Sequence, residues 1–255
     1  MTQSEYPITR LSNYQIPRIR AVFFDVDFTL IHPGATFGGE GYRTFCARYA
    51  IDVDAAKFAD AVASATPLLE SPDDAQYDPD LFIAYTRHII EQMGGHGPHL
   101  DACAREIYEE WAACQHFELY DEVPSVLRTL ADAGVRIGLI SNTQRCLTSF
   151  QSHFELQGLI AAAVSSFEHG RMKPHPSIFQ AALCRVGVSA HEAVMVGDSL
   201  RHDIEGALRA GMRAVLVARG EAVPPRAAEL GVPVIKSLRE LPPLVLETSA
   251  VTHSE

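Results

Sequence analysis

The chain has 255 residues, enough to bury a sizeable core as one large domain or as one domain carrying a smaller insert, and two compact parts are expected. Hydrophobic residues make up 47% and charged residues 21%, a balance that excludes wholesale disorder. The 32 acidic residues outnumber the 21 basic ones, and a formal charge of -11 removes any general attraction for nucleic acid or an anionic membrane.

Residues 1–17 have no apolar h-region and read as a polar tail, as do 247–255. The first ordered run is RAVFFDV (20–26), apolar and then abruptly acidic, with Asp25 and Asp27 separated by one valine. From about 34 to 118 the chain changes character. GGEGYRTFCARYA, DAAKFADAVASA, DPDLFIAYTRHIIEQM and LDACAREIYEEWAAC all read as helices, with no strand run between them. Leu81, Tyr85, His88 and Ile89 share one helical face, and GGHGPH (94–99) reads as a joint.

DEVPSVLRTLADAGV (121–135) then places Val126, Leu127, Leu130 and Ala131 on one face and stops at Gly134. RIGLIS (136–141) follows as a strand, and after it come AAAVSS (161–166), AVMVGD (193–198), AVLVA (214–218) and PVIKS (233–237). KPHPSIFQAALCRVGV (173–188) reads as a helix with prolines at its start and Gly187 at its end. The first four strand runs are apolar on both faces, the pattern of a parallel sheet covered by helices on both sides. The fold class is α/β, with a helical excursion after the first strand.

The longest unbroken apolar stretch, LIAAAV (159–164), is too short to cross a bilayer, so no export signal or membrane anchor is expected. Five cysteines (46, 103, 114, 146, 184) are odd in number and follow neither CxxC nor metal-ligand spacing, which points to a reduced cytoplasm.

In open α/β sheets, ligands collect beyond the carboxyl ends of the strands. Asp25, Asp27, Ser141, Asn142, Gly197 and Asp198 stand at such ends, and Lys173 precedes a helix. Neighbouring carboxylates resist joint ionisation unless a cation offsets them or one keeps its proton. Mg²⁺, a hard ion that takes oxygen ligands and shares them with phosphate, suits this cluster.

Four motifs in order, DVDFTL (25–30), SN (141–142), KPHPSIF (173–179) and GDSLRHD (197–203), resemble those of the haloacid dehalogenase superfamily of phosphotransferases and hydrolases. The resemblance spans nearly the whole chain. It implies a Rossmann-like core over 18–33 and 119–246, and an all-helical C1 cap over 34–118. It also implies a Mg²⁺-dependent phosphatase acting on a small phosphorylated metabolite. Asp25 would be the nucleophile that forms an aspartyl phosphate, and Asp27 the general acid and base. Asp25 and Asp198 would ligate Mg²⁺ by side chain and Asp27 by its backbone carbonyl. Ser141 and Asn142 would hold phosphate, Lys173 would balance its charge and that of the nucleophile, Thr29 would fix the turn, and Asp203 would support the metal or Lys173.

Plainer readings stand beside these. Ser141 could instead cap a helix beginning at TQRCLTSF, Lys173 could lie on the surface, and Asp203 could only complement a helix dipole. His96 and His99 read as solvated, Trp111 as packing, and His175 and His202 carry no assigned role. Phe28 departs from the glycine common after the second aspartate and would narrow the leaving-group side or pack under a flap. Gly38, Gly39, Glu40 and Arg43 are candidate cap contacts to substrate. A phosphomutase would keep the same residues, and a non-catalytic binding protein would keep the fold. A dehalogenase would lack Asp27.

Overall fold

The computed structural model describes residues 18–69, 76–220 and 223–246, so both expected tails, 1–17 and 247–255, lie outside the described residues. Strand β1 (Ala21–Phe24) is followed by the short β2 (Ile31–Pro33) and then by helices α1 (Gly39–Arg48), α2 (Phe58–Ala65), α3 (Pro79–Gln92) and α4 (Leu100–Glu110). The chain returns through β3 (Phe117–Leu119) into α5 (Val123–Asp132), β4 (Arg136–Ser141), α6 (Leu147–His153), β5 (Ile160–Ser165), α7 (Ser166–His169) and α8 (Pro176–Val186). It ends with β6 (Ala193–Gly197), α9 (Gly206–Arg209), β7 (Arg213–Val217), α10 (Pro225–Leu230), β8 (Val234–Ile235) and α11 (Leu241–Leu246).

Six strands form a parallel sheet in the order β5-β4-β1-β6-β7-β8. All four residues of β1 are buried. Val22 and Phe24 join a cluster with α5 and α11, while Ala21 and Phe23 join a second cluster with α8, α9 and α10. Successive side chains on a strand point to opposite faces, so this split is what a sheet covered on both sides requires. At the sheet edge, β5 departs from the expected two-sided burial, and its residues before Val164 remain partly accessible.

The excursion packs onto the first cluster through Phe37, Tyr42, Ile89 and Ile90, so core and helical insert share continuous apolar contact. Two features were not expected. First, β2 and β3 pair antiparallel, with Ile31 opposite Leu119 and Pro33 opposite Phe117, so the insert leaves and rejoins the core through one ribbon. Second, the buried residues of α3 are Ile83, Thr86, Ile89 and Ile90. The face carrying Leu81, Tyr85 and His88 is only partly covered, because α3 packs between α2 and α4.

No described helix is long and apolar enough to cross a membrane. All five cysteines are free thiols, and Cys46 and Cys103 meet in the insert with sulfurs 3.8 Å apart.

Candidate active site

The turn that follows β1 sets up the acidic pair. Asp25 accepts no break in the sheet, since its N–H still donates to the Val196 carbonyl at 2.9 Å. The chain then reverses, with the Leu30 and Ile31 N–H groups donating to the Val26 carbonyl and the Phe28 N–H to that of Ile31. This reversal puts Phe28 at φ 61°, in the left-handed region that bulky residues rarely occupy, and accounts physically for a glycine preference at that position. Phe28 is 45% exposed and faces Trp111, with ring centroids 6.2 Å apart. Thr29 is fully buried, and its hydroxyl donates to Asp198 at 3.4 Å.

Lys173 is buried and not on the surface. Its ammonium donates to Asp25 at 2.5 Å, to Asp203 at 2.6 Å and to the Ile140 carbonyl at 2.8 Å. Asn142, the residue just after β4, grips the lysine's own backbone: its Nδ2 donates to the Lys173 carbonyl and its Oδ1 accepts from the Lys173 N–H. Ser141 is buried at the last position of β4. It does not cap the next helix, which begins six residues later behind Cys146, because the intervening residues form the loop that turns back over the site.

Asp203 is reached through an unusual turn. Residues Leu200–Glu205 form a single wide π-helical turn capped by Ser199, a geometry that recurs at functional sites. It returns the Asp203 carboxylate against β6, where a Cβ on Gly197 would lie only 2.2 Å from its Oδ2. Only glycine fits there. Asp203 also accepts from the Ser199 N–H at 3.0 Å, so its place is not explained by a helix dipole alone.

The Asp25, Asp198 and Asp203 carboxylates bring one oxygen each within 4.8 Å of one another. Burial, opposed by Lys173, pushes the Asp25 carboxyl up to about 7. Desolvation by surrounding protein, then the charges of Asp25 and Asp203, raise Asp198 well above the usual carboxylate range. Burial alone would lower the Lys173 ammonium, but Asp203 and Asp25 outweigh it and raise its pKa. Three carboxylates thus gather around one ammonium that pairs with only two of them, an all-oxygen set with an excess of negative charge that fits a hard divalent cation.

Asp27 is held differently. One guanidinium nitrogen of Arg145 lies 2.9 and 3.1 Å from its two oxygens. Arg145 is itself 1% exposed, donates to the Trp111 carbonyl at 2.7 Å, and stacks on the Phe117 ring at 4.3 Å. Sequence reasoning missed this residue, since nothing within a loop of ordinary composition signals a partner 118 positions away.

Other candidates sit outside the site. His96 and His99 are exposed and belong to no metal-ligand group among the described residues. His175 caps α8 through Ser177, and His202 contacts Ser199. Glu40 and Arg43 pair with each other on the exposed side of α1. Neither they nor Gly38 and Gly39 line the cavity beside Asp27, which is walled by other parts of the insert. Trp111 does line it, besides packing on Phe37 and Phe117.

Comparison with known proteins agrees with this arrangement. Human N-acylneuraminate-9-phosphatase is 32% identical over 248 residues, covering 90% of this chain and 95% of that protein. A HAD phosphatase from Thermococcus onnurineus superposes with a TM-score of 0.62 at 21% identity, covering 89% of this chain and 98% of that one. A 2-haloacid dehalogenase from Pseudomonas syringae pv. Tomato gives 0.59 at 28% identity, covering 91% and 100%. The family profile described as haloacid dehalogenase-like hydrolase matches residues 19–211, and the chain belongs to that family of hydrolases.

Proposed function

We propose that the protein is a Mg²⁺-dependent phosphatase that hydrolyses a small phosphate monoester. The observation that carries this reading is the Lys173 ammonium between Asp25 and Asp203, with Asp198 completing the acidic cluster. Asp25, Asp198 and the backbone carbonyl of Asp27 would hold the ion, with Asp203 holding Lys173 in place. When bound, the ion supplies charge neutralisation to the phosphoryl oxygens.

In the first step an Asp25 carboxylate oxygen bonds to phosphorus as the ester P–O bond breaks, and Asp27 gives its proton to the departing oxygen. In the second step Asp27 takes a proton from water as that water attacks phosphorus, freeing inorganic phosphate and regenerating Asp25. Ser141 and the backbone N–H groups after β4 would hold the phosphoryl oxygens, and Lys173 would offset charge gathered on them. Asn142 would act by positioning Lys173. Asp27 favours phosphoryl transfer over dehalogenation, and similarity to an N-acylneuraminate-9-phosphatase supports an oxygen ester as substrate.

The test is phosphate release from a generic aryl phosphate by the purified chain. Release with Mg²⁺, arrest by EDTA and loss in Asp25→Asn are expected. Activity unchanged by Asp25→Asn refutes the mechanism.

A further inference from the structure

A cavity of about 320 Å³ lies between the core and the helical insert, and Asp27 stands on its wall. The Asp25, Asp198 and Asp203 carboxylates do not line it. If Asp27 serves the ester oxygen, the alcohol beyond that oxygen extends into this space. The cavity is therefore the leaving-group pocket of the reaction proposed above.

Its chemistry is unusual for a site that would take a polar metabolite. Of the 19 described residues that line it, nine are aromatic and five are Pro, Val, Leu or Ile, while none is Lys, Arg or His. Asp27 is the one charged lining residue among those described, and its two oxygens face Arg145. The polar side chains on the wall are largely engaged within the protein. The Tyr77 and Tyr108 hydroxyls bond to each other at 2.5 Å, and the Thr86 hydroxyl donates to the Phe82 carbonyl at 3.0 Å. Asn142 holds Lys173, Gln144 Nε2 donates to the Tyr108 carbonyl at 2.7 Å, and the Thr143 hydroxyl accepts from the Arg145 N–H.

A sugar or a second anionic group placed here would lose water without gaining equivalent partners, whereas an apolar body would lose only unfavourable hydration. We infer that the substrate is the phosphate monoester of an uncharged, predominantly apolar alcohol or phenol; this rests on the phosphatase reading. At about 30 Å³ per water-sized group, the cavity takes about ten such groups. That sets the size of the alcohol.

The experiment measures kcat/KM of the full chain with Mg²⁺ for linear alkyl phosphates from methyl to dodecyl, below their micellar concentrations, beside hexose 6-phosphates. Expected is a rise of about fourfold per methylene until the cavity fills, then a plateau. Octyl phosphate should exceed the hexose phosphates at least a hundredfold. Binding of the matching alkylphosphonates, followed by calorimetry, should show the same trend without turnover. Val62→Trp, which fills the cavity from α2, should move the plateau to shorter chains.

Hydrolysis of all esters without dependence on chain length, or preference for the hexose phosphates, overturns the apolar assignment and leaves the phosphatase reading standing. Hydrolysis of none, with octylphosphonate still binding far more tightly than methylphosphonate, overturns the phosphatase reading and supports the apolar pocket. A plateau unmoved by Val62→Trp overturns the cavity as the place where the chain binds.

Discussion

Arg145 bridges both carboxylate oxygens of Asp27 through one guanidinium nitrogen, at 2.9 and 3.1 Å, while its other terminal nitrogen holds the Trp111 carbonyl. One side chain thereby ties the loop after β4 to the acidic turn after β1 and to the end of the helical insert. The Arg145 side chain is fully buried and that of Asp27 is 17% exposed, so removing either partner strands the other. We expect Asp27→Asn to destabilise the chain by about 3 kcal/mol as well as to stop turnover, because it leaves a buried cation unpaired. Denaturant unfolding of Asp27→Asn, Arg145→Met and the double variant checks this. If the two losses simply add, the pair is not coupled.

Removing Lys173 is expected to act on chemistry and on folding together. Lys173→Gln leaves Asp25 and Asp203 facing each other without their shared cation, at a cost of about 3–5 kcal/mol in EDTA. Mg²⁺ should restore part of that stability, but phosphate release should stay down by at least about a hundredfold, since the amide cannot offset charge on the phosphoryl group. Thermal unfolding with and without Mg²⁺, beside a phosphate assay, separates the two effects.

The raised carboxyls give the metal-free protein a pH dependence of defined sign. Asp25, pushed up to about 7, binds a proton in the folded chain that the unfolded chain releases near its ordinary value of 3.8. Its contribution is therefore fully present below pH ~4 and is lost as pH rises through 7. Asp198, also raised, adds in the same direction, and Lys173 stays charged throughout. In EDTA the melting temperature should fall between pH 5 and pH 7.5, and millimolar Mg²⁺ should reduce the fall. A melting temperature that climbs over this interval in EDTA contradicts the assignment.

Phe28 holds a left-handed backbone at φ 61°. Phe28→Val should lose about 1–2 kcal/mol, because a β-branched side chain tolerates that conformation least. Phe28→Gly should melt no lower than the parent, while losing selectivity for apolar esters as the ring leaves the cavity wall. Melting temperatures and the alkyl phosphate series measure the two effects side by side.

The parts of the fold that were legible in the sequence are those with dense local signals. RIGLIS is a strand over its full expected length because the five consecutive buried positions after Arg136 leave little choice, and Gly187 ends α8, as expected, with a left-handed backbone. Asp25, Asp198 and Lys173 could be placed at one sheet edge since strand ends of a parallel sheet converge, whereas Asp203 was reached only through the family resemblance. The ribbon of β2 and β3 was not legible, as three residues per strand carry too little alternation to read. Arg145 and the aromatic cavity were hidden for another reason. Both arise from contacts between distant segments, and neither segment alone reveals its partner.

The β2–β3 ribbon has a consequence for how such a chain can change over generations. Because Ile31–Pro33 and Phe117–Leu119 lie side by side, the peptide departs and comes home at a single doorway. Whatever hangs from that stem can lengthen, shrink or be replaced without asking any strand of the sheet to shift register. The reactive machinery and the insert proposed to select its cargo are thereby separable along the backbone, while apolar side chains still knit the two together.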